Sequence, residues 1–323
     1  MKKIAIIEKI HNDGLELLKK TQGYEYELIT NVSEDNLIKK LPEFDACTLR
    51  VSKLNENILK HCSKLKVISR HGVGYDNVDT EYLNKNKIAM AITVNANAVS
   101  VAEHVMTMML NLTKNISKSD KLTRDNKFKE KANLPNFFEL YNKKILIMGF
   151  GRIGKALAKR CLGFDMEIFV HDPFINENEI TSNNCIPINK DEGFKIADYI
   201  SIHLPLNDKT KNLISSNEFK IFKSNLILIN TARGGIINED DLFDALNNNR
   251  IFGAGIDVFE QEPPINDHKL FSLENIILTP HNAALTLECR KRMAIECCEN
   301  VFNFLSKNKN LIESNIINLD ILS

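Results

Sequence analysis

Ten short apolar runs punctuate this sequence, and no other feature constrains its fold as strongly. They are Ile4–Ile7, Ala46–Val51, Leu65–Ser69, Ile88–Thr93, Ile145–Met148, Glu167–Val170, Tyr199–His203, Leu226–Asn230, Gly253–Val258 and Ile276–Leu278. Longer amphipathic stretches separate them. Brief apolar runs alternating with helical patterns read as strands in βαβ units, buried on both faces. The expected fold class is α/β, with two Rossmann-like or flavodoxin-like parallel sheets. A length of 323 residues agrees with two domains.

Two helical patterns read as the joints. Asn97–Leu112 carries Val101, Val105, Met108, Met109 and Leu112 at helical spacing, with Ser100 as the expected N-cap. Thr286–Leu305 repeats the pattern with Met293, Cys297, Val301 and Leu305. If the second helix returns to the first sheet, residues 1–97 and 288–323 form one discontinuous domain. Residues 98–287 are then inserted into it. The polar stretch Thr113–Asn133 reads as an exposed arm or helix.

Composition narrows the classes of function. Lys+Arg and Asp+Glu each total 42, so the chain is formally neutral, which argues against a broad nucleic-acid-binding surface. No run approaches the roughly 18 apolar residues a membrane span needs, and the run before Glu8 is too short for a secretory signal. The seven cysteines include no Cys-x-x-Cys pair, and Cys297 and Cys298 read as buried thiols. The expectation is a reduced, cytoplasmic protein with no metal, no nucleic acid and no membrane partner.

Ile145–Met148 runs straight into Gly149-Phe150-Gly151-Arg152-Ile153-Gly154, and a helical pattern follows as far as Gly163. Strand, G-x-G-x-x-G and helix in this order suit a dinucleotide pyrophosphate. Gly149 makes the turn, Gly151 lets the phosphates approach, and Gly154 permits close helix–strand packing. Asp172 ends the next strand, 18 residues past Gly154. A carboxylate there accepts from ribose hydroxyls and repels a 2′-phosphate, favouring NAD over NADP. Other nucleotides, such as S-adenosylmethionine, use similar glycines, so redox chemistry needs further evidence.

That evidence begins with three strand ends. Arg233 lies in Thr231-Ala232-Arg233-Gly234-Gly235, Glu262 in Gly255-Ile256-Asp257 through Pro264, and His281 in Thr279-Pro280-His281-Asn282-Ala283-Ala284. Each alone has an ordinary structural explanation. Together they follow consecutive strands at the carboxyl edge, where open α/β sheets bind ligands.

These blocks join Ser69-Arg70-His71-Gly72-Val73-Gly74-Tyr75-Asp76-Asn77-Val78-Asp79, Ala98 to His104, and His203-Leu204-Pro205-Leu206 with Thr210. In that combination the sequence resembles the D-isomer-specific 2-hydroxyacid dehydrogenase family, from the Arg70 loop to Ala284. The resemblance implies an NAD domain inserted into a substrate domain, with the active site in the cleft between them. It implies that Arg233 binds the substrate carboxylate and polarises the C2 oxygen. His281 would take the hydroxyl proton as hydride leaves C2, and Glu262 would orient His281. Gly72, Val73 and Gly74 would meet the substrate carboxylate. His203, Leu204, Pro205 and Thr210 would line the cofactor site, and Thr231, Ala232, Asp257 and Ala283 would flank the nicotinamide.

Arg50 and Arg70 match arginines that hold the distal anion in D-3-phosphoglycerate dehydrogenases, and Asn97 matches a substrate-contacting position. Arg suits a bidentate grip on phosphate, although Arg50 equally suits a surface ion pair. The favoured substrate pair is 3-phosphoglycerate and 3-phosphohydroxypyruvate, a step of serine biosynthesis. Hydroxypyruvate/glyoxylate reduction and sulfolactate oxidation are alternatives, as is an NAD(H)-sensing corepressor-like scaffold. The resemblance also implies a homodimer, with Ala98–Lys129 as the segment to mediate it. The sequence stops at Ser323, so the serine-sensing module of long phosphoglycerate dehydrogenases is expected to be absent. Asn142, His171 and Asn282-Ala283-Ala284 depart from the family pattern without removing a catalytic group.

Overall fold

The computed structural model describes residues 1–134, 136–307 and 315–321. The chain divides into two compact units, Met1–Asn97 with Leu285–Ser323, and Ala98–Ala284. The return crossing is thus at Ala284/Leu285 rather than after Leu287. Thr286 caps the helix Leu287–Leu305 by accepting from the Cys289 N–H at 3.2 Å, so the cap stays in the same unit as its helix.

The first unit holds β1 (Lys2–Ile7), β2 (Tyr24–Ile29), β3 (Ala46–Leu49), β4 (Val67–Arg70) and β5 (Ala89–Ile92). They pair in parallel in the order β2-β1-β3-β4-β5. Alternation along β1 sends Ala5 and Ile7 to a core with Leu37, Leu41 and Leu49. Ile4 and Ile6 enter the opposite core with Leu18, Ala294, Cys298 and Val301. The residues numbered 315–318 cover the β5 edge: Ile92 N–H donates to Asn315 O and Ile317 N–H to Met90 O, both at 2.9 Å. Asn318 Oδ1 accepts from Met90 N–H at 2.9 Å. An otherwise exposed strand edge is thereby paired.

The second unit holds β6 (Lys144–Met148), β7 (Glu167–His171), β8 (Ile186–Pro187), β9 (Tyr199–Ile202), β10 (Ile227–Asn230), β11 (Gly253–Ile256) and β12 (Ile276–Leu278). The parallel order is β12-β11-β10-β9-β6-β7-β8. Leu146 and Met148 pack on one face with Phe194 and Phe219; Ile145 and Ile147 pack on the other with Val105, Met109 and Leu157. The helix Ala98–Lys114 begins two residues before Ser100, so Ser100 is buried inside its first turn and is not the N-cap.

Two strands escape a search for apolar runs. β2, Tyr-Glu-Tyr-Glu-Leu-Ile, alternates ring and carboxylate because it is a half-exposed edge. β8 has only two residues. All seven cysteines are buried and free, and burial pushes the Cys297 thiol up to about 12. No helix among the described residues is long and apolar enough to cross a membrane.

Candidate active site

In the second unit, β12, β11 and β10 are neighbours, so their carboxyl ends bring the three expected residues onto adjacent loops. His281 Nδ1 meets Glu262 Oε2 at 2.8 Å. Phe259 N–H donates to the other Glu262 oxygen at 3.1 Å. Burial alone would raise the Glu262 carboxyl. The hydrogen bond and charge of His281, the Phe259 N–H and the charge of Arg233 outweigh it and hold the group below its usual range. The side chains of His281 and Glu262 remain 50% and 39% exposed, open to a ligand.

The Arg233 loop is built by Asn230. Its Oδ1 accepts from Ala232 N–H at 3.0 Å and its Nδ2 donates to Arg233 O at 2.8 Å. Gly234 then packs on the Phe259–Glu260 peptide so tightly that a Cβ would overlap the Phe259 carbonyl. The Arg233 and Glu262 loops therefore hold each other.

Asp257, expected beside the nicotinamide, ties the His281 loop to β11. Its side chain is fully buried. Oδ1 accepts from the Thr279 hydroxyl at 2.5 Å and Asn282 N–H at 2.9 Å, and Oδ2 from Ala283 N–H at 3.0 Å. His281 N–H donates to Asp257 O at 2.8 Å. His281 itself sits at φ 51, a left-handed conformation that costs a non-glycine residue energy and must be held. Asp257 holds it, and His104 Nε2 supports the same Thr279 hydroxyl at 3.1 Å.

At the glycine loop, Gly149 has φ +96, and Gly154 presses against its carbonyl where no Cβ would fit. Gly151 caps the helix Arg152–Leu162, and nothing lies within 4 Å of where its Cβ would be. That leaves helix N–H groups open to phosphate oxygens. Asp172 accepts from Phe150 N–H at 2.8 Å and Phe174 N–H at 2.9 Å, and a carboxylate retains lone pairs beyond these two bonds. Beside it lies a cavity of about 410 Å³ lined by Val170, Pro173, Ile175 and Ile188 and by the polar His171, Glu177, Asn189 and Glu192. Thr231 Oγ1 and Asn282 Oδ1 are buried without a partner among the described residues. This set fits a dinucleotide.

Thr210, expected to line the cofactor site, also bonds within its own loop. Thr210 Oγ1 donates to Pro205 O at 2.6 Å and accepts from Asn207 N–H at 2.8 Å, which staples the turn after His203 and Leu204. Ala283 is buried. Burial pushes the His203 imidazole down to about 4, and its Nε2 meets Ser201 Oγ at 2.9 Å.

In the first unit, Leu49 and Arg70 are register partners on β3 and β4, Arg50 follows Leu49 by one residue, and the charges of both arginines act on His71. Arg50 Nη1 donates to Lys9 O at 3.1 Å, while Arg70 Nη1 donates to His71 O and lies over Gly72. The N–H groups of Val73 and Gly74 make no hydrogen bond among the described residues. Glu8 ties the Arg50 loop to β1 by accepting from Val51 N–H at 2.8 Å and Ser52 N–H at 3.1 Å. Asn97 closes this unit.

His71 is 6% exposed, and burial with the charges of Arg50 and Arg70 pushes its imidazole down to about 4. Above the ordinary value of about 6.5 both folded and unfolded chains carry it neutral. As pH falls from there toward 4, the unfolded chain takes a proton that the fold refuses, and stability is lost. Urea unfolding of the wild type should therefore lose about 2 kcal/mol more between pH 7 and 4.5 than His71→Leu does. Equal losses would remove His71 as the cause.

A family model described as D-isomer specific 2-hydroxyacid dehydrogenase, NAD binding domain, matches residues 106–283. A D-3-phosphoglycerate dehydrogenase of Archaeoglobus fulgidus is 30% identical over 98% of this chain, which spans 59% of that relative's length. A glyoxylate reductase of Thermococcus litoralis is 34% identical over 99% of this chain and 98% of its own. The crystal structure of D-lactate dehydrogenase from Aquifex aeolicus, complexed with NAD and lactic acid, aligns with a TM-score of 0.85 at 25% identity, covering 98% of this chain and 99% of that one.

Proposed function

Because the chain belongs to the D-isomer-specific 2-hydroxyacid dehydrogenase family, we propose that it oxidises and reduces a small, doubly anionic D-2-hydroxyacid/2-oxoacid pair with NAD. The observation that carries this reading is the 2.8 Å His281–Glu262 pair with the charge of Arg233 beside it. Bound NAD supplies the two-electron acceptor at C2. Gly149 to Gly154 and Asp172 hold it. Arg233 grips the substrate carboxylate and polarises the C2 oxygen. His281 Nε2 removes the hydroxyl proton, or returns it in reduction, while Nδ1 stays on Glu262. An ionised Glu262 fixes the ring and stabilises the imidazolium that this transfer creates.

The favoured pair is 3-phosphoglycerate and 3-phosphohydroxypyruvate, as in serine biosynthesis. Arg50, one residue past the register partner of Arg70, and Arg70 itself, with the open N–H groups of Val73 and Gly74, supply donors for two anionic groups. Hydroxypyruvate/glyoxylate reduction is the second reading, favoured by the glyoxylate reductase matched along 98% of its length. Both readings have a homodimer working in the cytoplasm, where seven buried free thiols suit a reducing environment.

The test follows NADH absorbance with phosphohydroxypyruvate, hydroxypyruvate, glyoxylate and sulfopyruvate. Phosphohydroxypyruvate should give the highest kcat/KM. Arg50→Ala should lower that value about 10–100-fold, the worth of a charge-assisted hydrogen bond, and leave glyoxylate within about threefold. Equal loss on both removes the distal-anion role. No turnover of any 2-oxoacid removes the dehydrogenase.

A further inference from the structure

Behind the Glu262 turn lies a second carboxylate–imidazole pair that the proposed chemistry does not use. Glu239 and His268 meet at 2.9 Å, with side chains only 14% and 12% exposed. Leu270 N–H points at His268 Nδ1 (3.4 Å), which leaves the ring proton on Nε2 to donate to Glu239 Oε2. Glu239 Oε1 accepts from Glu260 N–H at 2.7 Å, and Glu260 Oε1 accepts from Glu239 N–H at 3.1 Å. The His268 ring stands edge-on to Phe259, 5.7 Å between centroids.

The Phe259–Glu260 peptide is thus gripped from three sides. Gly234 presses on its carbonyl, Glu239 holds its N–H, and His268 braces the Phe259 ring. Phe259 N–H in turn donates to Glu262 Oε1, whose partner oxygen holds His281. Glu239 opens the helix Glu239–Asn247, directly after the loop that carries Arg233. A buried polar pair costs desolvation that an apolar pair of the same volume would avoid. Its use in directional bonds to this one turn is the compensating role.

We infer that Glu239 and His268 are positioning residues, setting the Glu262 carboxylate and through it the orientation of the His281 ring. The kinetic half of this inference rests on the dehydrogenase reading; the geometric half does not.

The experiment compares His268→Leu, which keeps the volume and loses the donor, with His268→Gln, which restores a donor toward Glu239. The full chain is labelled with 15N-histidine, and the His281 ring signals are assigned through His281→Asn. In His268→Leu those signals should move, and kcat should fall about 10–100-fold with the NAD KM unchanged, as expected of a misplaced reacting group. His268→Gln should return both toward wild type. On a Glu262→Gln background, His268→Leu should cost less than about twofold more, because both changes act on one link.

Unmoved His281 signals in a folded His268→Leu protein overturn the inference, and so does a loss that adds in full to that of Glu262→Gln. Should His268→Leu not fold, Glu239→Gln, which sets two donors against each other, takes its place under the same criteria. If the wild type turns over no 2-oxoacid, the dehydrogenase reading fails and the ring signals alone still decide the positioning role.

Discussion

Replacing His281 by Ala lowers kcat about 10²–10⁴-fold, the usual contribution of a positioned acid–base group. NAD affinity stays near wild type, because the glycine loop and Asp172 lie at the ends of β6 and β7, away from His281. No other described imidazole stands in its place: His104 is turned to Thr279, and His268 to Glu239. Stopped-flow reduction of a 2-oxoacid separates the chemical step from cofactor binding, which fluorescence titration reports. Near-normal turnover in a folded His281→Ala protein would end the acid–base assignment. Glu262→Gln gives a smaller fall, since Gln still accepts one hydrogen bond but brings no charge to the imidazolium.

Asp257→Ala combines the largest loss of stability with a loss of activity. The carboxylate is fully buried and accepts from the Thr279 hydroxyl and from the Asn282 and Ala283 N–H groups. Without it, three donors lose their acceptor in the interior. At about 1–3 kcal/mol for each unsatisfied group, the total is about 3 kcal/mol or more. The left-handed backbone at His281 loses its support at the same time, so kcat should fall at least about 10²-fold even at temperatures where the variant stays folded. Urea unfolding and turnover of the same sample check both. A change under about 1 kcal/mol would mean that the loop is held elsewhere.

Much of this molecule was legible because its chemistry is local. A strand, three glycines and a carboxylate at fixed spacing announce the dinucleotide loop, and Arg233, Glu262 and His281 stand at the ends of successive strands. What escaped depends on contacts between segments distant in sequence. The carboxylate of Asp257 holds a loop more than twenty residues ahead, a bond that no local pattern announces. Glu239 and His268 carry no motif of their own, and only tertiary contact reveals what they and His104 hold. β2 was missed for a different reason: an edge strand exposes one face, so its alternating glutamates break the apolar run. Ser100 failed as a cap because the helix had already begun at Ala98.

The pairing of residues 315–318 with β5, and the docking of Ala294, Cys298 and Val301 under β1, bear on the order in which the chain matures during synthesis. Residues 1–97 build a sheet whose covering helix and edge partner are made only after the inserted unit. The inserted unit, continuous from Ala98 to Ala284, has all its strands and can close while synthesis continues. The sheet of β1 to β5 is therefore locked only after the inserted unit has been made, and until then its apolar β1 waits for a helix nearly three hundred residues away.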